Sequence, residues 1–397
     1  MARRLTLDFL KTASGSGLLL AGAALLAVAM ANSPSAWRYF AFIGAEIPVR
    51  LGDFAETKTV GRWVTDALMA VFFLVLGMQI KFEALRGELS SPRRLALPLA
   101  AALGGLVVPA ATFLALNIGV PRMAGGWATP MATDVGVALA VLTVAGPRMP
   151  SSLRIFLLTV ALADTLVAVV VNGALFAGDV HFKALAGAGL TLALLALMGW
   201  WKRAPFLFYA AGFVVVWAFT LESGVSTALA GVACGLTVPV GARRLGQDSV
   251  LTYFLDSLHP YVAYAVLPLF AFTAAGFAFK GHSPGQLLAP APLGVGLGLL
   301  IGKPLGVFGF SVLAATFKIG RRPTGVTWLE LLGAAMLSGV GFTMSLFIGA
   351  LAFGEDPLAR TQVRLAVIAA SLLAALAGGA LLAWAQAKRT ERGEDER

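Results

Sequence analysis

Charge is scarce in this chain. Of 397 residues only 13% are Asp, Glu, Lys or Arg, about half the share of roughly 25% found in soluble domains. So few charges cannot cover a water-facing surface, which excludes a soluble enzyme, a nucleic-acid-binding domain and a disordered chain. Cysteine is nearly absent: Cys234 stands alone in an apolar run, so it forms no internal disulfide and reads as a small packing residue. Histidine is sparse too, at three residues, and His181 and His282 fall in loops, leaving no metal-binding histidine cluster. No Walker-type Gly-Lys-Ser/Thr string is present, so ATP-driven pumping has no support.

Apolar residues and glycine are abundant instead, at 58% hydrophobic with 45 glycines and 19 prolines. No collagen-like period accompanies them, and Gly and Pro are both more frequent in transmembrane helices than in soluble ones. A spanning helix needs about 20 mostly apolar residues. Such stretches lie near 13–31, 62–80, 95–116, 127–146, 155–176, 184–201, 205–220, 224–241, 259–279, 290–317, 328–353 and 362–386. Long unbroken runs exclude an outer-membrane barrel, whose strands alternate. The expectation is an all-α membrane protein of about twelve transmembrane helices, with 1–397 as a single multi-span domain. Loops are short apart from 32–61, and a mixed-charge, solvated tail is expected over 387–397.

The basic excess is topological. With the N-terminus and every second loop placed on one side, that side collects Lys and Arg roughly two to one. The positive-inside rule then puts both termini in the cytoplasm. Arg3-Arg4, the following apolar run and Ala29-Met30-Ala31 have the form of a secretory signal, but the run exceeds a usual signal core, so retention is expected. In the 32–61 loop, Ile47–Asp53 sets short β-favouring pieces beside a Gly-Asp turn signal. A small extracellular hairpin or an irregular loop both fit. A hairpin would offer strand edges for dimerisation.

Four ionisable residues, Asp66, Asp134, Asp164 and Lys303, fall inside apolar spans. A charge at mid-membrane costs at least about 2.5–3.5 kcal/mol, so each needs a reason. One cation cannot pair with all three carboxylates, which points to an ion or proton path. Pro130 breaks the helix just before Thr133 and Asp134, and Gly339-Val340-Gly341 interrupts the eleventh span before Thr343 and Ser345. Irregular backbone at this depth survives only when buried or lining a cavity. Close packing alone would also explain a glycine pair. One interrupted segment in each half of a chain is the pattern of a transporter site between inverted repeats. Asp164 and Lys303 would pair at similar depth, and oxygen-rich carboxylate sites suit hard cations such as Na+. Intramembrane proteolysis lacks support: Ser226 has no following glycine, and His259-Pro260 reads as the start of a span. Glu330, just after Trp328, reads as interfacial.

Taken together, Thr133-Asp134, Asp164, Ile301–Gly306 and Gly339–Ser345 resemble the NhaA-type bacterial sodium/proton antiporters. So do Asp66–Phe73, His259-Pro260 and Leu267–Phe272, and the likeness runs over nearly the whole chain. The resemblance implies inverted repeats, discontinuous helices 4 and 11 crossing at mid-membrane, and a homodimer held by an extracellular hairpin. It implies exchange of Na+ or Li+ for protons across the inner membrane, in pH and sodium homeostasis, with no cofactor. By carry-over, Asp134, Asp164, Thr133 and Thr165 would meet the transported Na+, while Asp164, Lys303 and Asp134 couple charge. Asp66, Glu83, Asp256 and His259 would belong to the funnel or pH response, although Asp66 could equally cap a helix start. Three positions depart from the family: Thr165 stands where a second aspartate carries the central ion-binding role, Gln79 replaces a glutamate and Ser226 a histidine. Three readings follow from Thr165. The chain exchanges Na+ with fewer protons, it moves protons or another small ion, or it is a transport-inactive regulatory protein.

Overall fold

The computed structural model describes residues 2–51, 54–86, 92–175, 180–201, 205–241, 249–279, 284–354 and 356–391. His282 and the Gly52-Asp53 turn lie outside them. Helix dominates, and each of the apolar stretches contains one. The helices are α1 (Ala2–Ala31), α2 (Ala36–Gly44), α3 (Val60–Arg86), α4 (Pro92–Leu116), α5 (Val135–Ala145), α6 (Ser151–Leu175) and α7 (Phe182–Trp201). They continue with α8 (Phe206–Glu222), α9 (Thr227–Thr237), α10 (Val250–Ala275), α11 (Pro290–Thr316), α12 (Trp328–Ser338), α13 (Phe342–Ala352) and α14 (Pro357–Glu391). A 3-10 segment, Pro121–Met131, precedes α5. Among the described residues, 9 helical segments are long and apolar enough to cross a bilayer, or 10 if Gly15–Ala31 and α2, bent by 114°, form one span. The chain is a multi-pass membrane protein. The two shorter apolar helices, α8 and α9, occupy the stretches expected at 205–220 and 224–241.

Contacts divide the chain into two units. The first comprises Met1–Ala21, Gly87–Ala168 and Phe279–Arg397. Its helices approach at backbone distance where side chains are missing. A Cβ on Gly306 of α11 would collide with the Gly104 carbonyl of α4, and one on Gly104 with the Gly306 carbonyl. Such small-residue seams let transmembrane helices pack closely without a hydrophobic driving force. Within α11, Pro304 offers no N–H and its ring would crowd the carbonyl four residues back. The helix widens into a π turn over Gly298–Gly302, where the Lys303 N–H reaches the Gly298 carbonyl five residues back. α12 begins at a capping box: the Thr327 hydroxyl accepts from the Glu330 N–H, and the Glu330 carboxylate accepts from the Thr327 N–H at 2.8 Å.

At the entrance of α12, Glu330 is 1% exposed, and Arg389 reaches it at 3.0 Å from α14. Arg389 also donates to the Gly325 carbonyl at 3.1 Å. Accordingly Lys388 and Arg389 belong to a helix that runs to Glu391, and Arg389 is fixed rather than solvated.

The second unit comprises Gly22–Arg86 and Val169–Ala278. In it β1 (Glu46–Leu51) pairs antiparallel with β2 (Phe54–Thr59), Glu46 opposite Thr59 and Leu51 opposite Phe54. Before the hairpin, α2 occupies part of what the sequence reads as loop. It is anchored by buried Tyr39, whose hydroxyl donates to the Phe272 carbonyl at 2.6 Å. Thr59 caps α3 directly after β2, so Lys58 and Arg62 fall beside Asp66, at 2.8 and 3.3 Å. Asp66 is therefore a paired carboxylate and not a helix cap, and the count that left it without a cation omitted the hairpin. Asp66 sits in a π turn, Val64–Leu68, and its carbonyl accepts from Trp217 Nε1 and the Thr227 hydroxyl. α10 starts at Val250, capped by Ser249, which places His259-Pro260 inside the helix rather than at its start. Asp256 is exposed, His259 partly exposed and Glu83 buried.

The α4–α11 seam predicts a contrast within one helix. Gly306→Ala should lower stability by about 1–3 kcal/mol through overpacking. Gly309→Ala, where a Cβ meets nothing within 4 Å, should be neutral or stabilising by up to about 1 kcal/mol. Thermal unfolding in detergent measures both, and equal effects would contradict the packing described.

Candidate functional site

The site begins with two failures of helix. The 3-10 segment ends at Met131, Ala132 is extended, and Asp134 (φ −80°, ψ 98°) opens α5 as its N-cap, accepting from the Val137 N–H at 3.1 Å. α12 ends at Ser338 and α13 starts at Phe342, with Gly339-Val340-Gly341 between. Each break strands backbone groups that no water in a bilayer core would satisfy.

The breaks satisfy one another. The Asp134 N–H donates to the Val340 carbonyl at 2.7 Å. The Thr133 hydroxyl reaches the Ser338 carbonyl at 2.9 Å. In return the Thr343 N–H donates to Asp134 Oδ2 at 3.0 Å, and the Thr343 hydroxyl bonds the same oxygen. Asp134 thus lies at the N-termini of both α5 and α13, where partial positive charge favours a carboxylate.

The complementary arrangement holds the cation. Lys303, fully buried, donates to the Met131 carbonyl at the C-terminal end of the 3-10 segment, the end that favours positive charge. Its Nζ lies 2.7 Å from Asp164 Oδ2, and both side chains are 0% exposed. The π turn before Lys303 and the α4–α11 seam fix the helix that presents it.

Thr133 links the two halves of the site. Its hydroxyl lies 2.8 Å from Asp164 Oδ2 as well as 2.9 Å from the Ser338 carbonyl. One proton serves two acceptors, so Asp164 either gains or loses that donor according to which way the hydroxyl turns. The Thr165 hydroxyl stands 3.3 Å from the Thr133 carbonyl and 3.4 Å from Asp164 Oδ1, both long for O–H donors. It is a neutral oxygen held loosely beside the second carboxylate oxygen.

The structure therefore brings Thr133, Asp134, Asp164, Thr165 and Lys303 together in the first unit. Asp66, Glu83, Asp256 and His259 belong to the second. Sequence reasoning missed Thr343 as a partner of Asp134, although its position just past Gly339-Val340-Gly341 was a signal. The Met131 and Ser338 carbonyls were equally missed, and no side-chain pattern could have named them. Two buried carboxylates, an ammonium, two hydroxyls and unwound carbonyls can hold a hard monovalent cation and exchange it against a proton.

The family described as Na+/H+ antiporter 1 matches residues 7–382. The Na(+)/H(+) antiporter NhaA of Rhodospirillum rubrum is 45% identical over 381 residues, covering 94% of this chain and 95% of the relative. The NhaA of Paramagnetospirillum magneticum is 43% identical over 378 residues, covering 94% and 95%. The NhaA 2 of Erythrobacter litoralis is 40% identical over 390 residues, covering 98% and 96%.

The ion pair predicts an order of stability losses. Lys303→Met leaves Asp164 as a lone buried carboxylate and should cost about 3–5 kcal/mol, whereas Thr133→Val removes one hydroxyl and should cost about 1–3 kcal/mol. Combining Lys303→Met with Asp164→Asn should recover much of the first loss. Thermal unfolding of the four proteins checks this; a double variant worse than Lys303→Met would contradict the pairing.

Proposed function

The chain belongs to the Na+/H+ antiporter 1 family, and we propose that it carries out its exchange at the Thr133, Asp134, Asp164, Thr165 and Lys303 cluster. It is a secondary transporter rather than an enzyme, exchanging Na+ for protons. The observation that carries the site is the joint hold of Lys303 and Thr133 on one oxygen of Asp164.

In this reading an incoming Na+ or Li+ competes with the Lys303 ammonium for Asp164. Thr133 and Thr165 supply neutral oxygens, and the Asp134 charge stands beside them. Once the cation takes Asp164, Lys303 retains only the neutral Met131 carbonyl. A lone buried ammonium is costlier than a neutral amine, so cation entry and loss of a proton are coupled. Thr165 cannot carry a proton, which limits the exchange to a single proton per cation where the family pattern implies two.

The Lys and Arg distribution supports both termini in the cytoplasm of a bacterial inner membrane, with the hairpin outside. A homodimer through the hairpin is supported by its two strands: among the described residues each pairs only with the other, leaving an outer edge open.

Proteoliposomes test the reading. Na+- or Li+-dependent proton movement is expected, abolished by Asp164→Asn and Asp134→Asn. Apparent Na+ affinity should rise with pH by at most about tenfold per pH unit, because binding releases one proton. Transport by the parent should be indifferent to membrane potential, and Thr165→Asp should make it potential-dependent. No response to any alkali cation from mildly acidic to alkaline pH would favour proton-only movement or an inactive scaffold.

A further inference from the structure

Helical Ser and Thr side chains in this protein habitually return their hydroxyls to the carbonyl one turn back. Thr112, Thr143, Thr220 and Ser311 do so at 2.7–2.8 Å, as expected for hydroxyls in an apolar helix. Ser345 on α13 does not. The Gly341 carbonyl accepts from the Ser345 N–H at 2.9 Å, yet among the described residues the Ser345 hydroxyl has no hydrogen-bond partner, and the residue is 0% exposed. Thr129, in the 3-10 segment, is the same: 0% exposed with an unpartnered hydroxyl. Each orphan leaves a desolvated hydroxyl uncompensated unless something supplies its partner.

The two orphans share one seam. Gly341, Ser345 and Gly349 follow one another at helical spacing and so lie on one face of α13. A Cβ on Gly349 would stand 3.4 Å from Thr129 Cγ2, and one on Gly341 would stand 3.1 Å from the Ala132 carbonyl oxygen and against the Ser345 hydroxyl. The face therefore packs on residues 129–132, with glycine above and below Ser345. Two residues before Ser345, Thr343 holds Asp134. A neighbouring carboxylate disfavours an anion in the seam, while hydroxyl and carbonyl oxygens suit a hard cation. With no full charge of its own, the seam cannot repay the dehydration of a divalent ion.

We propose that the Thr129 and Ser345 hydroxyls, with the Ala132 carbonyl, form a neutral oxygen subsite for a dehydrated Na+ or Li+ beside the Asp134 and Asp164 carboxylates. It rests on the reading of the chain as a Na+ exchanger and adds a station where water is replaced by protein oxygen before the cation meets Asp164. Loss of either hydroxyl weakens cation binding without weakening the fold, because no protein hydrogen bond is lost.

Ser345→Ala and Thr129→Val, made in the full chain, test this by two readouts: thermal unfolding in detergent titrated with NaCl or LiCl against choline chloride, and antiport in liposomes. Each variant should raise the half-saturating Na+ or Li+ concentration about tenfold, the value of one lost cation contact to within the spread of such interactions. Unfolding temperature without alkali cation should stay level or rise, and the maximal antiport rate should persist. Unchanged half-saturation in both variants would overturn the subsite. Lower unfolding temperature with unchanged half-saturation would also overturn it, showing a structural water instead. A parent that binds Na+ through these hydroxyls but does not transport would sink the exchange reading alone; a parent stabilised by no alkali cation would sink both.

Discussion

A helix interrupted inside a bilayer must find partners for the backbone groups it releases, and this protein meets that demand by setting one interruption against another. Asp134 and Thr133 on one side, Ser338, Val340 and Thr343 on the other, exchange four hydrogen bonds. Each break supplies partners for the backbone groups that the other releases, which a hydrocarbon core cannot do. The chemistry of the site follows from that structural necessity. Broken helices expose N-termini and C-terminal carbonyls, and the protein places a carboxylate on the former and an ammonium on the latter.

That dipolar arrangement explains why the buried charges divide into two kinds. Asp134 is held by donors from two helix starts. Asp164 is held by Lys303 and by a hydroxyl that has another acceptor within reach, so its partners can be exchanged. A firmly held carboxylate beside one whose partners can be exchanged is what a competitive carrier requires. A second aspartate at position 165 would add another exchangeable proton; Thr165 leaves the oxygen and removes the charge.

Much of this was legible in the amino acids because membranes make polarity conspicuous. Pro130, the glycines around Val340 and the isolated Asp164 and Lys303 stand out in apolar runs, and the length of those runs located every helix that carries them. What escaped was set by partners remote in sequence or by backbone. Asp66 looked unpaired because Lys58 reaches it from a hairpin outside the apolar run. The Glu330–Arg389 pair escaped because Arg389 lies beyond the last apolar stretch. α2 is too short to register as a span. Thr343 stood at the interruption without a named partner, since Asp134 lies far from it in sequence, and the Met131 and Ser338 carbonyls carry no signature of their own.

The central claim is that Na+ and the Lys303 ammonium compete for Asp164. Isothermal titration of the purified protein with NaCl, repeated in buffers of differing ionisation enthalpy, counts the protons released as the cation binds. The account predicts a proton released by the parent and none by Lys303→Met that still binds Na+; the same release from both proteins would contradict it.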